Sequence, residues 1–223
     1  APAYVAKPSG IALAIPKVMT DPVFLEAIGV TLLSVIEGLA ISLVLGTILG
    51  LLLGRSNLAD RLLRHYVNGF YAIPMVVAVP LLALWFGYTG AARLATVVFA
   101  SVVSIIVNVS DGARSVPRDF LEVARSFRSS ERRMWQDVLL PFALPFIAVG
   151  IRLAIGRGLV GMVIAEFYTT ISGLGFMITR YANVFEMDKT LVPVFVLMVL
   201  GVTLTSGLKR LERRIAPWSH GNR

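Results

Sequence analysis

Ionisable side chains are scarce in this sequence, and nine of them gather in one polar stretch. From Ser115 to Pro145 it carries Arg118, Arg125, Arg128, Arg132 and Arg133 beside Asp119, Glu122, Glu131 and Asp137, in a chain of mean hydropathy +0.79. Between these charges Phe120, Leu121, Ala124 and Phe127, then Met134, Trp135, Val138 and Leu139, recur at helical spacing. That pattern predicts short amphipathic helices at a membrane surface, built to dock onto something. Such side chains pair ions and bury apolar contacts without making or breaking a bond. There is no cysteine, His65 and His220 are far apart, and no G-x4-GK[ST] run occurs. Thiolate chemistry, a metal site and a phosphate-binding loop are therefore not expected, and the chain is read as a non-enzyme with no cofactor of its own.

A second set of ionisable residues lies within or at the edge of apolar runs: Glu37, Arg152, Arg157 and Glu166. Arginine at membrane depth is costly and is usually paired or turned toward a cavity. Two outcomes are open. The arginines line a pathway and attract an anionic solute, or they pair structurally with Glu37 or Asp111 or snorkel along their stems. Five residues turn a helix by about 140°, so Arg152 and Arg157 cannot both point squarely at one pore.

The elements that must position these residues are membrane helices. At 223 residues, 57% hydrophobic and 15% charged, the chain has too many long apolar runs for one soluble core. Its net charge of +8 flanks those runs and forms no single stripe, which suits membrane orientation and not nucleic acid. Residues 1–26, with Pro2, Pro8, Pro16 and Pro22, read as a surface segment in which Pro16 interrupts a short apolar run. Five spans are expected: 27–54, 66–92, 94–110, 142–165 and 190–208. The first carries Gly38, Ser42, Gly46, Gly50 and Gly54 at every fourth position, a stripe for close helix packing. In the second, Pro74 and Pro80 break the hydrogen-bond ladder. Arg55, Asp60, Arg61 and Arg64 read as a short polar loop, Asn108 to Asp111 as a helix cap, and 169–189 as a loop.

The polar stretch also carries a family resemblance. Glu122-Val123-Ala124, three residues, position 128, nine residues, then Val138-Leu139-Leu140-Pro141 resembles the E-A-A-x3-G-x9-I-x-L-P signature of the membrane subunits of bacterial ABC importers. Val123 replaces the usual Ala, and Arg128 stands where the family has Gly, at a turn where Arg tolerates a left-handed backbone poorly. Ile73-Pro74, the run Pro80 to Gly87 with Trp85, Gly156-Arg157-Gly158, Ala165-Glu166-Phe167 and Gly173-Leu174-Gly175 resemble the importers of sulfonates, taurine, nitrate and thiamine precursors. The resemblance covers roughly 28–215.

This resemblance implies an all-α, polytopic type I ABC importer fold, usually of six spans; with about five here, either the first is missing or this is a five-helix subunit with an exported N-terminus. It implies that Glu122, Val123, Ala124, Arg125, Phe127, Arg128, Arg132, Arg133 and Pro141 engage a cytoplasmic ATPase that holds ATP and Mg. It further implies two copies of this chain, two ATPase subunits and an extracytoplasmic solute-binding protein. Pro74, Pro80, Trp85, Arg152, Arg157 and Glu166 form the candidate solute pathway. The implied cargo is a small anion such as a sulfonate or taurine, with pyrimidine thiamine precursors, nitrate and bicarbonate as alternatives. A gradient-driven carrier or channel is the alternative function, but it leaves the polar stretch unexplained.

Orientation follows from counting. Loops 55–64 and 113–140 and the C-terminus hold 14 of the 21 Lys and Arg, the opposite side holds 5 and the spans hold 2. The positive-inside rule then puts the first set in the cytosol. The chain divides into an extracytoplasmic segment 1–26, a transmembrane domain 27–215 with coupling segment 113–140, and a cytoplasmic tail 216–223.

Overall fold

The computed structural model describes residues 5–169 and 172–215, which form helices joined by short turns. In chain order these are α1 Pro8–Met19, α2 Pro22–Arg55, α3 Asn57–Ala72, α4 Met75–Phe86, α5 Gly90–Arg114, α6 Arg118–Ser126, α7 Glu131–Arg133, a π-helical turn Met134–Leu139, α8 Leu140–Thr169, α9 Leu174–Asn183 and α10 Met187–Ile215. Among the described residues four stretches are long and apolar enough to cross a membrane: 22–55, 90–114, 131–169 and 187–214. The pair α3 and α4 makes a fifth only as a broken span, bent by 101°.

Local sequence explains that break. Ile73 precedes Pro74, whose ring disfavours the helical region for its predecessor, and Ile73 is extended at φ −64°, ψ 123°. The expected second span is thus corrected at Pro74. Pro80 instead lies inside α4. The polar residues 57–64 expected as a loop open α3, where Ser56 caps the helix by accepting the Ala59 N–H at 3.2 Å. Asp60 then accepts from Arg64 at 2.5 Å and pairs with Arg114, which holds α3 to α5.

Three further expectations are corrected. The N-terminal segment is helical: α1 continues through Pro16, and Ala14 and Val18 are buried with Phe24, Ala27, Leu174, Met177, Tyr181 and Val192. A proline near a helix end removes only one backbone bond, and the packed face of α1 outweighs that loss. Asn108 caps nothing, because α5 runs on to Arg114 and the Asn108 side chain donates to the Ser104 carbonyl at 2.8 Å. The loop 169–189 contains α9.

The chain forms two compact units. One comprises Ala1–Leu39, Pro74–Ala100 and Gly156–Leu204; the other Ala40–Ile73, Ser101–Ile155 and Thr205–Arg223. Within each, α2 lies against α5 through its small-residue stripe. A Cβ at Gly38 would stand 2.5 Å from Val97 Cγ1; one at Gly46 would stand 2.7 Å from Ile105 Cβ, and one at Gly50 2.7 Å from Val109 Cβ. Lipid tails are as apolar as leucine, so helices in a bilayer associate by packing and not by apolar transfer, and close backbone approach is what the stripe provides. Outward faces are apolar instead: Leu33, Val44, Ile48 and Leu52 on α2, and Phe195, Met198 and Val202 on α10, are exposed, as suits hydrocarbon.

Candidate functional site

The charged stretch folds into α6, a turn, and the start of a helix continuous with α8. Pro117 fixes the approach to α6, Asp119 stands in its first turn and Arg125 in its last, both favourable to the helix dipole. One face is anchored: Ala124 is buried, and the Phe120 and Phe142 rings meet edge to face with centroids 5.2 Å apart. Glu122, Val123, Arg125, Arg128, Arg132 and Arg133 are exposed on the rest, and Phe127 is 81% exposed. An apolar ring left so open beside four guanidinium groups is a surface shaped for contact.

The turn at the end of α6 is a Schellman motif. The Ser129 N–H donates to the Ala124 carbonyl at 3.0 Å and the Arg128 N–H to the Arg125 carbonyl at 2.8 Å, with Arg128 at φ +52°. The geometry that glycine would adopt freely is therefore formed here by an arginine. Position 128 keeps the turn despite its residue, because the two capping bonds satisfy carbonyls the helix leaves open.

Ser130 then caps α7, accepting from the Arg133 N–H at 3.4 Å, and Glu131 reaches Arg55 at 3.4 Å. The π-helical turn that follows has a cause in the sequence. Pro141 and Pro145 carry no N–H, so the ladder around them shifts, and the Leu140 N–H donates five residues back to Trp135. Met134 and Leu139 are buried and Pro141 is half-buried, which ties the segment to α8.

The residues considered for a pathway separate in space. Arg152 on α8 pairs with Glu212 on α10, Nη2 to Oε2 at 3.0 Å. This corrects the expected partners Glu37 and Asp111, which lie exposed. Glu212 was missed because it sits among Lys209, Arg210, Arg213 and Arg214, where its charge read as part of the basic end. Arg157 is half-buried on α8. Pro74 opens α4, Pro80 lies within it, and Trp85 near its end is 76% exposed.

Glu166 is on no open surface. It is fully buried, and its oxygens accept from Thr31 Oγ1 and from the Gly175 N–H, each at 2.6 Å. Thr31 in turn accepts the Leu174 N–H at 2.9 Å. Arg93 Nη1 donates to Ser172 Oγ at 2.9 Å and to the Ser172 carbonyl at 3.2 Å. Thr31, Arg93 and Ser172 carried no signal in the sequence. Among the described residues no three His, Cys, Asp or Glu side chains gather as a metal site would require.

Residues 42–217 match the family described as binding-protein-dependent transport system inner membrane component. The formylaminopyrimidine transport permease ThiX of Halalkalibacterium halodurans is 28% identical over 200 residues, covering 90% of this chain and 80% of that protein. The taurine transport system permease TauC of Escherichia coli is 26% identical over 211 residues, covering 95% and 76%. A crystal structure of an amino acid ABC transporter with histidines superposes with a TM-score of 0.69 at 17% identity, over 91% of this chain and 98% of that one, and shows the same fold. The fold is that of type I ABC importer permeases. The chain belongs to the binding-protein-dependent transport system inner membrane components, as an ABC importer permease for a small solute.

Proposed function

We propose that this chain is the membrane half of an ATP-driven importer, and that α6 with its following turn is the element a cytoplasmic ATPase grips. The observation that carries this reading is the exposure of Val123 and Arg125 on α6, whose other face is anchored to α8, and of Phe127, Arg128, Arg132 and Arg133 in the turn and on α7 that follow. Glu122, Val123 and Phe127 seat α6 in the ATPase groove and the arginines pair with acidic groups around it, whereas Ala124, expected at that contact, is buried on the anchored face. The helical backbone continuing through Pro141 into α8 carries motion from that contact into the membrane. ATP and Mg stay on the ATPase, and this chain contributes no catalytic group.

Two copies of the chain and two ATPases make the complex. The distribution of Lys and Arg supports a cytoplasmic 55–64, 113–140 and C-terminus, with tail 216–223 inside and segment 1–26 outside, where a solute-binding protein delivers cargo to the stretch 166–189. Pro74, Pro80 and Trp85 on the broken helix, with Arg157 on α8, are assigned to the pathway. Arg152 is not, because Glu212 neutralises it. The relatives' printed cargoes support a small sulfonate of the taurine kind or a formylaminopyrimidine.

The test is co-purification of the detergent-solubilised chain with its ATPase, wild type against Glu122→Lys, with ATP hydrolysis assayed in the complex. Binding by the wild type and its loss or uncoupling in the variant supports the reading. A wild type that captures no ATPase overturns it.

A further inference from the structure

We propose that Glu166 is a positioning residue for transport: from α8 it serves as the missing N-cap of α9, and so fixes the surface of α9 on which the solute-binding protein docks. This rests on the docking reading given above and goes beyond it by naming what holds that surface.

The first turn of a helix leaves backbone N–H groups without partners, and α9 begins at Gly173 with no side chain of its own to cap it. Its orphan donors are satisfied from elsewhere. The Gly175 N–H reaches Glu166 Oε2 at 2.6 Å, and the Leu174 N–H reaches Thr31 Oγ1 at 2.9 Å. Thr31 returns its own hydroxyl proton to Glu166 Oε1 at 2.6 Å. One carboxylate on α8 and one hydroxyl on α2 thus replace a local cap. A carboxylate at a helix N-terminus is also favoured by the helix dipole.

The approach to α9 is shaped around that carboxylate. Gly173 adopts φ +108°, and a Cβ there would fall 1.9 Å from Glu166 Oε1. A Cβ on Gly175 would fall 2.8 Å from Glu166 Cβ and from the Val163 carbonyl. The Gly173-Leu174-Gly175 run is therefore no flexible loop but the wall of a buried binding position for one side chain. Arg93 closes the same stretch by holding Ser172.

What this arrangement fixes is the far end of α9. Arg180 and Tyr181 line an open cleft with Lys17, Asp21, Glu186 and Lys189. A second Schellman turn follows α9, with Phe185 at φ +61° and 57% exposed, and with the Glu186 N–H donating to the Tyr181 carbonyl at 3.0 Å. Charged groups of both signs lining one cleft suit contact with another protein. A helix of ten residues is too short to hold its place by itself: Leu174, Met177 and Tyr181 pack one face of it into the core, and the cap fixes the first turn from which the rest of the surface is carried.

The experiment uses the complex of this chain with its ATPase in nanodiscs, comparing wild type, Glu166→Gln, Thr31→Val and Thr31→Ser. Serine keeps the hydroxyl but loses a methyl; valine keeps the shape but loses the hydroxyl. Hydrogen exchange of 172–184 should rise about fivefold or more in Glu166→Gln and Thr31→Val, and stay near wild type in Thr31→Ser. A packing role predicts the reverse order for the two Thr31 variants. Stimulation of ATP hydrolysis by the added solute-binding protein should fall in Thr31→Val and persist in Thr31→Ser. The proposal is overturned if Thr31→Val protects α9 as well as wild type does, or if exchange rises while stimulation is unchanged. A wild-type complex that the binding protein does not stimulate overturns the docking reading itself, and the exchange comparison then still decides whether Glu166 caps α9.

Discussion

Arg152 and Glu212, sixty residues apart in sequence, meet at 3.0 Å between α8 and α10, with Glu212 10% exposed and Arg152 39% exposed. Removing one partner leaves a charge poorly solvated. Because Arg152 keeps some exposure, Glu212→Ala is expected to cost about 1–3 kcal/mol, below the range for a fully buried pair. The double replacement Arg152→Met with Glu212→Leu should recover most of that. Thermal unfolding in detergent reads both; a single variant as stable as wild type would show that the pair holds nothing.

Arg128 occupies a left-handed position, which costs a non-glycine residue about 1–2 kcal/mol, offset in part by the entropy that glycine loses on folding. Arg128→Gly should therefore raise the unfolding midpoint by about 2–4 °C. If its guanidinium also pairs with the ATPase, the same variant should bind the ATPase more weakly. A lowered midpoint would mean that the turn is not strained.

Gly50 and Gly156 make a matched pair. A Cβ on Gly50 meets Val109 Cβ at 2.7 Å and the Ile106 carbonyl at 2.8 Å, whereas one on Gly156 meets nothing within 4 Å. Gly50→Ala should destabilise by about 1–3 kcal/mol, as overpacking does. Gly156→Ala should stabilise by about 0.5–1 kcal/mol, since alanine orders more easily in a helix interior. Similar effects from the two would refute close packing of α2 on α5.

Phe127, being 81% exposed, can be truncated with little effect on the fold, and Phe127→Ala should change stability by less than about 0.5 kcal/mol. Its effect belongs to the complex: affinity for the ATPase should fall about tenfold or more, as at an aromatic anchor. Titration of the ATPase against the reconstituted chain measures it, and an unchanged affinity would move the grip elsewhere on α6.

The sequence alone determined the class of this protein, because the features that declare it are local and periodic. Uninterrupted apolar runs mark the spans, charges at helical spacing mark α6, and the fixed distance from Glu122 to Pro141 carries the resemblance to the importer membrane subunits. The glycine stripe on α2 was legible for the same reason, since a repeat of four residues defines one helix face whatever lies opposite. What lies opposite was not legible. The partners of Arg152 and Glu166 are 60 and 135 residues away, and helix rotation, which no spacing along one chain segment records, decides which charges meet. Proline told only where a ladder loses a bond: packing kept α1 helical through Pro16 and α4 through Pro80, whereas at Pro74 the restriction on Ile73 breaks the helix and the chain bends by 101°. Arg128 is set against its own preference by its immediate neighbours, because the two local capping bonds outweigh the strain of one residue. Tertiary structure also brought to the start of α9 the groups that accept its first N–H bonds, Thr31 on α2 and Glu166 on α8, which the sequence keeps far from each other.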